Sequence, residues 1–227
     1  MGDHASHRHD PRRRTRRVAT EVQRNAGLFP RGRGRPEGSQ TPFITARGAG
    51  AVEADRDRGI ALFNRTIALP HGAPSVRFLT RELAGEYGLY EPGGGPRVGP
   101  RGGTIYINSH ARADGHRVLY TVHEIAHYLD RNVVNEGPTI GSLVPGRYDP
   151  IISAADRTGS AVKWAESEMD GYLLAREEIW ARAFAQWIVV RGGTQSEYDL
   201  VVSHPHHWSA EEFTAVGEAV GVVLGRL

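Results

Sequence analysis

Residues 118–130 read Val-Leu-Tyr-Thr-Val-His-Glu-Ile-Ala-His-Tyr-Leu-Asp, and this stretch decides the fold. Its apolar residues recur three or four positions apart, at 118, 119, 122, 125, 126 and 129. That spacing places them on one face of an α-helix. The stretch therefore predicts an amphipathic helix whose apolar stripe is buried.

Two histidines and a glutamate lie within this helix. His123 and His127 are four residues apart, so their imidazoles lie one turn apart on the same side and can converge on one metal ion. Glu124 follows the first histidine and can reach a metal-bound water. This is the H-E-x-x-H arrangement typical of zinc metallopeptidases, with two ligands and a general base. The competing interpretation is a surface helix that carries two ordinary histidines.

Length and composition limit the possible chemistry. A chain of 227 residues accommodates one globular domain with a sizeable core and additional tails. The sequence contains no cysteine, which excludes disulfides, thiolate metal sites and cysteine nucleophiles. Any metal must therefore be held by nitrogen and oxygen atoms.

Residues 1–50 are rich in Arg, Gly and Pro, and they predict a disordered arm ahead of a folded domain at 51–227. Residues 1–35 carry ten arginines against three acidic residues, whereas the rest of the chain is mildly acidic. Such an arm can contact nucleic acid through its phosphates. The composition favours a solvated linker or the remnant of a longer precursor.

No apolar run approaches the length that spans a bilayer, and the N-terminal residues lack the apolar middle of a secretory signal. We therefore expect no membrane contact and a cytoplasmic location. Virion association and delivery by a specialised secretion system leave no such mark in a sequence, so both are alternatives.

Several shorter elements precede the helix. Residues 60–69 form an apolar stretch compatible with helix or strand, and residues 75–79 predict a strand or the lead-in to a helix at 81–87. Residues 88–92 and 104–108 flank a Gly/Pro-rich turn and predict a β-hairpin.

After the helix, residues 132–150 predict a loop that acts as a flap over the cleft, and residues 151–169 resume a helical pattern. Near the end of the chain, Ser209 and Glu212 have the spacing of a capping box. They predict the start of a helix that runs to residue 227.

The second informative stretch is residues 172–188, where a wide apolar stripe predicts a strong helix. Glu178, Ala181 and Ala185 form another face of this helix, and the small alanines allow a second helix to approach closely. A catalytic zinc site normally takes three protein ligands and leaves one position for water. We therefore assign Glu178 as the third ligand beside the two histidines.

Other acidic residues compete for this role. Glu177 is the alternative third ligand, because it lies closer to the large apolar stripe, where an unpaired carboxylate is costly. A simpler interpretation is that Glu177 and Glu178 only favour the dipole of the helix that they begin. Asp130 lies one turn beyond His127 and is better placed to orient a histidine than to bind the metal.

A loop near the C-terminus contains His204, His206 and His207. Their spacing fits no fixed ligand geometry, so we expect surface histidines. His207 and Arg182 are candidates for stabilising an oxyanion in the cleft.

The pairing of His-Glu-Ile-Ala-His with Glu178-x-x-Ala181-x-x-Phe184-Ala185 resembles gluzincin-type metallopeptidases, in particular the small zincin domains of phage structural proteins, mobile elements and polymorphic toxins. The resemblance covers residues 85–227. It implies an α+β, zincin-like fold with a small upper β-sheet, the active-site helix beneath it, and a mainly helical lower half that supplies the third ligand. In such peptidases an edge strand pairs with the backbone of an extended substrate.

The sequence therefore predicts a zinc-dependent metallopeptidase that acts on a protein or peptide substrate, associated with a phage or a toxin. Zn²⁺ held by His123, His127 and Glu178 activates a water, and Glu124 takes the proton of that water and passes it to the leaving amine. The alternative is a non-catalytic phage or toxin component, in which zinc stabilises the fold and the arginine-rich arm binds nucleic acid.

Overall fold

The computed structural model describes residues 43–45, 50–69, 73–93, 102–110, 116–133 and 143–225. Four strands form one mixed sheet: β1 (Phe43–Thr45), β2 (Val76–Arg81), β3 (Gly88–Pro92) and β4 (Gly103–Asn108). Their spatial order is β1-β2-β4-β3. β1 is parallel to β2 and β2 is parallel to β4, whereas β3 is antiparallel to β4.

β3 and β4 form the β-hairpin that the sequence predicts. Their register pairs Gly88 with Ile107 and Pro92 with Gly103. Among the described strands β3 pairs only with β4, so it forms one edge of the sheet. Pro92 is compatible with this edge, because proline lacks the backbone N–H that a central strand uses for pairing.

Helices make up most of the rest of the described chain. In chain order they are α1 (Ala51–Thr66), α2 (Arg117–Asn132), α3 (Asp149–Ala155), α4 (Gly159–Ala165), α5 (Asp170–Leu173), α6 (Arg176–Gly192), α7 (Gln195–Ser203) and α8 (Phe213–Leu224).

The core is built around α2 and α6. α2 packs against β3 and β4 of the sheet, against α1, and against α6. Every residue of α6 from Glu178 to Val189 is buried, and a helix that is covered on all sides lies at the centre of its domain. The two helices that carry the predicted metal ligands are therefore also the two most enclosed helices of the fold.

The α+β class is confirmed, and α2 is the helix predicted around residues 118–130. α1 resolves the ambiguity at residues 60–69 in favour of a helix that ends at Thr66. No helix in the described ranges combines the length and the apolar character needed to cross a membrane.

Two sequence predictions about helices need correction. Of the two alternatives for residues 75–79 the strand is the one observed, as β2 (Val76–Arg81), and no helix follows at 81–87, where the chain bends towards β3. The helical pattern at 151–169 is divided between α3 and α4. The division falls at Thr158, whose hydroxyl accepts a hydrogen bond from Ala161 N–H and so begins a new helix.

The boundary of the predicted arm at residue 50 is also wrong. Residues 43–45 form β1, and Phe43 makes edge contacts with Phe63, Phe78 and Tyr128. A three-residue strand among polar neighbours carries too little periodicity to be found from sequence. Residues 1–42 and 46–49 of the predicted arm lie outside the described residues, as do residues 134–142 of the predicted flap at 132–150.

Candidate metal centre

Two helices bring three polar side chains together. α2 carries His123 and His127, and α6 carries Glu178. The two imidazole Nε2 atoms are 3.1 Å apart, and each lies 3.3 Å from one carboxylate oxygen of Glu178. Among the described residues this is the one group of three or more His, Asp and Glu side chains that could hold a metal ion, and its ligand atoms all lie within 4.8 Å of one another.

The close packing of α6 against α2 explains this convergence. Trp180 Nε1–H donates a 3.0 Å hydrogen bond to the carbonyl oxygen of Ala126, which lies between the two histidines in sequence. Ala181 and Ala185 are fully buried on the helix face that Glu178 begins. Small side chains at these positions let the two backbones approach, as the sequence predicts.

The three residues fit a divalent metal ion with nitrogen and oxygen ligands. Glu178 Oε2 is buried and has no hydrogen bond. Burial also removes the water that would otherwise solvate this oxygen, so the oxygen lacks the polar partner that buried carboxylates normally have. Two imidazole nitrogens that face each other at 3.1 Å also need a proton or a cation between them. Two histidines and a glutamate with room for water form a ligand set that Zn²⁺ uses in catalytic sites.

The charges in the group favour an ionised carboxylate. Burial alone raises the pKa of Glu178, but its interactions with His123 and His127 outweigh burial and hold the pKa well below its ordinary value. Burial alone lowers the pKa of His127, but Glu178, Glu124 and Asp130 outweigh it, and the net pKa is raised. The group therefore attracts positive charge, whether a proton or a metal ion.

Glu124 lies beside the three residues without belonging to them. Its side chain is buried, and burial raises the pKa of its carboxyl, while the nearby imidazoles of His123 and His127 lower it in part. The backbone of Tyr90 on β3 hydrogen-bonds to this carboxylate. A carboxyl with a raised pKa next to a candidate metal site has the properties of a general base.

The structure separates the competing acidic residues. Glu177 is half-buried and lines the same cleft, but it does not join the three-residue group. Asp130 is buried and also lies outside the group, and its charge helps to raise the pKa of His127. The orienting role that the sequence favours over metal binding stays a prediction.

Arg182 links the walls of the site. All three of its guanidinium nitrogens donate to backbone carbonyl groups: Nε to Glu178 at 3.1 Å, Nη1 to His206 at 3.4 Å, and Nη2 to Leu173. Its guanidinium also lies over the ring of Trp164, 4.4 Å from the centroid. These contacts favour a role in holding together α5, α6 and residues 204–207, which we call the histidine loop, rather than the predicted contact with an oxyanion.

The prediction of surface histidines is wrong for His207. This side chain is only 6% exposed, it lines the cleft, and its Nδ1 is buried without a hydrogen bond. Burial, with smaller contributions from His204 and Arg182, lowers its pKa well below the ordinary value, so the ring is neutral. The spacing of the loop histidines does not reveal this position, because it depends on how the loop packs against α6.

The group opens into a cleft of about 530 Å³. Its walls come from α2 and α6, from the edge strand β3 and the residues before it, from residues 169–173, and from the loop at 204–207. Sequence analysis missed three of the four tyrosines of this lining, Tyr87, Tyr90 and Tyr120. Only Tyr120 left a signal, since it precedes Glu124 by one helical turn.

The site thus places a buried carboxyl with a raised pKa, two imidazoles and a second carboxylate in one cleft beside a sheet edge. Searches of protein-family models, curated proteins and solved structures find no match to this chain.

Proposed function

We propose that the chain is a zinc-dependent metallopeptidase with a zincin-like fold. The observation that carries this proposal is the convergence of His123, His127 and Glu178 from two helices, with Glu124 beside them in one cleft. A metal site that only stabilises a fold has no use for a further buried carboxylate, which costs free energy unless it has a role.

The residues of the chain divide the chemistry between them. His123, His127 and Glu178 would hold the ion, and zinc supplies an activated water and a polarised carbonyl when it is bound. Glu124 accepts a proton from the attacking water and passes it to the leaving amine nitrogen as the C–N bond breaks. Its raised pKa brings the carboxyl closer to the range in which it can both accept and donate protons near neutral pH.

Two further features of the cleft suit a peptide substrate. β3 is an edge strand with one side free of any described strand, and such an edge can pair with an extended chain. His207 is neutral, so its ring retains one N–H that can donate to the oxygen of the tetrahedral intermediate. His207 is therefore our remaining candidate for stabilising that oxygen.

Metal content is the first test. Zinc is measured by mass spectrometry on purified wild type, His123→Ala and Glu178→Ala, with Glu177→Ala as the matched control. We expect about one zinc per chain in the wild type and in the control, and a depleted content in the other two variants. Wild type that holds no zinc after reconstitution contradicts the proposal. Zinc lost from the control instead of Glu178→Ala would move the third ligand to Glu177.

The second test addresses the general base. Glu124→Gln keeps the size of the side chain but removes its ability to accept a proton, so zinc should stay bound while peptide hydrolysis falls roughly 10²- to 10⁴-fold. Glu177→Gln, a neighbouring glutamate of the same cleft, serves as the control. Undiminished turnover in Glu124→Gln would remove this residue from the mechanism.

The non-catalytic alternative predicts zinc binding without hydrolysis. Its nucleic-acid contact rests on the arginine-rich residues 1–35, which lie outside the described part of the chain. Binding to DNA that weakens with salt and disappears when residues 1–42 are deleted would support that contact. Association with a phage particle or a toxin stays a prediction from the sequence resemblance.

A further inference from the structure

Exposed apolar side chains are concentrated at the candidate metal centre. In the described parts of the chain, seven large hydrophobic side chains are exposed, and three of them line the cleft: Tyr87, Met169 and Tyr172. Apolar surface grouped in one concave site, rather than scattered over the surface, marks a place where a ligand binds.

Tyr87 is held in a fixed position. Its ring stacks on that of Tyr120, with centroids 4.4 Å apart and planes 5° from parallel. The Tyr120 hydroxyl lies 3.2 Å from His204 Nε2, which ties this pair to the histidine loop. The two stacked rings, Tyr87 and Tyr120, are called the aromatic wall below.

A buried asparagine holds the loop that carries the aromatic wall. The Asn108 side-chain amide donates to the carbonyl oxygens of Leu83, at 3.0 Å, and Glu86, at 2.6 Å. The Asn108 backbone N–H donates to the carbonyl oxygen of Tyr87 at 3.0 Å. These bonds fix the chain from residue 83 to residue 87 on the end of β4, so Tyr87 is exposed although its backbone is secured.

The aromatic wall is continuous with the other parts of the site. Tyr87 directly precedes the edge strand β3, and Tyr120 lies one turn before Glu124 on α2. A peptide that pairs with β3 therefore passes close to both the aromatic wall and the proposed base. Met169 and Tyr172 come from the segment at α5, which contributes another part of the lining.

We propose that the aromatic wall, together with Met169, forms a subsite for an aromatic or large aliphatic side chain of an extended peptide, next to the bond that is cleaved. This inference rests on the proposed peptidase function and names its substrate class. An aromatic side chain stacks on tyrosine rings and contacts the methionine sulfur favourably, whereas a small side chain leaves that surface exposed to water.

The first test of the subsite measures which peptide bonds are hydrolysed. It uses the zinc-loaded full chain and a mixture of peptides in which every residue type is represented. Cleavage sites are mapped by mass spectrometry. We expect Phe, Tyr, Leu or Met next to the cleaved bond at least about 10-fold more often than Ala. Cleavage without a preference at these positions, or with a preference for Arg or Lys, overturns the subsite.

Variants connect the preference to the aromatic wall. Tyr87→Ala and Met169→Ser each remove an exposed side chain of the lining, and each should reduce the preference for large apolar residues several-fold. Val162→Ala removes an exposed aliphatic side chain of α4 away from the cleft and should leave the preference unchanged. An unchanged preference in both cleft variants, with thermal unfolding as in the wild type, overturns the assignment.

Binding without hydrolysis separates this inference from the proposed function. Fluorescence anisotropy measures how tightly the Glu124→Gln protein binds each of two labelled decapeptides, which differ only in having Phe or Ala at the central position. Tighter binding of the Phe peptide, weakened about 10-fold by adding Tyr87→Ala, supports the subsite even if the wild type cleaves nothing. Equal binding of the two peptides overturns the subsite and leaves the metallopeptidase proposal to its own tests.

Discussion

Gly88 lies directly against the side chain of the proposed base. A Cβ atom added at this position would lie 2.7 Å from Glu124 Cγ and 2.8 Å from its Oε1. Real Cβ atoms do not come so close, so the carboxylate must move. We expect Gly88→Ala to lower kcat roughly 10- to 100-fold, because small displacements of a catalytic group have effects of that size. Zinc content should not change.

Gly171→Ala is the matched control for this prediction. Gly171 belongs to α5 near the cleft, and a Cβ atom added there meets no atom within 4 Å. Steady-state kinetics and zinc analysis on both variants separate a displaced base from a damaged site. If Gly88→Ala retains full kcat, the position of Glu124 does not depend on β3.

For individual residues of the site, the spacing of side chains along one helix was predictable from the sequence, whereas contacts between elements were not. His123, Glu124 and His127 follow from their positions on α2, and Glu178 follows from the alanines that share its face of α6. Gly88 carries no chemical group, so only the packing of β3 on α2 reveals its contact with Glu124. The burial of His207 was not predicted for the same reason, because it depends on how the histidine loop packs against α6.

Among the elements, α1 and α7 are joined by a charged pair. Arg58 Nη2 donates to Glu197 Oε2 at 2.9 Å, and Arg58 Nε contacts the other carboxylate oxygen. Burial raises the pKa of Glu197, but its bonds with Arg58 and Thr194 outweigh burial and lower the pKa to about 2. Because Arg58 is partly exposed, solvent screening limits the contribution of the pair to the free energy of unfolding to about 1 kcal/mol.

We expect Glu197→Gln to lower the free energy of unfolding by about 1 kcal/mol at pH 7. A carboxyl whose pKa is lowered by folding stabilises the fold above its unfolded pKa, and it loses this contribution as the pH falls through the folded pKa. The difference between variant and wild type should therefore shrink between about pH 4.5 and pH 2. The amide oxygen of glutamine can still accept the capping bonds from Thr194, so the variant keeps the helix cap while it removes the charged contact with Arg58.

Urea denaturation at several pH values measures this difference. Glu218→Gln, at an exposed position on α8, is the control and should match the wild type throughout. A difference for Glu197→Gln that stays constant down to pH 2 would show that the charge is not responsible.

Elements with a long apolar period or a clear turn were predictable from the sequence. α2, α6 and the β3–β4 hairpin follow from such patterns, although α6 begins at Arg176 and not at residue 172. Ser209 and Glu212 make the predicted contacts, but α8 begins only at Phe213, so the predicted start of this helix is wrong. The short stretch at 81–87 was open to more than one structure, because Asn108 fixes its course from a distant position. Propensity over so few residues is weaker than one such tertiary contact.

For the whole molecule, Phe43 is the first residue of the described chain and already belongs to the core. It is 8% exposed and contacts three aromatic rings of the core, whereas its neighbour Ile44 is 53% exposed. We expect Phe43→Ala to lower the free energy of unfolding by about 3 kcal/mol, because a buried aromatic ring is lost. Ile44→Ala is the control on the same strand and should have an effect of less than about 0.5 kcal/mol.

Denaturant unfolding of the two variants provides the measurement. Equal effects would contradict the assignment of β1 to the domain. The sequence placed this strand in the arm because the arginines and glycines around it dominate the local composition. Its partners Phe63, Phe78 and Tyr128 come from three separate elements, a relation that no local pattern contains.

Zinc should also stabilise the whole domain. An ion that binds only the folded state raises the free energy of unfolding by about 2.7 kcal/mol when its free concentration is 100 times its Kd. We expect a chelator to lower the Tm of the wild type by several degrees, and added zinc to restore it. Glu178→Ala should show little response to either addition, and a full response in that variant would place the ion elsewhere.

The order of the ligands along the chain has a consequence for the time at which the protein becomes active. His123 and His127 leave the ribosome about 50 residues before Glu178. At ordinary rates of translation this interval lasts roughly 3 to 10 seconds. The nascent chain then carries the base and two ligands, but neither the third ligand nor the helix against which α2 packs. We therefore expect the proposed hydrolysis to start only after the second half of the domain has been made, and a chain interrupted before residue 178 to be inactive.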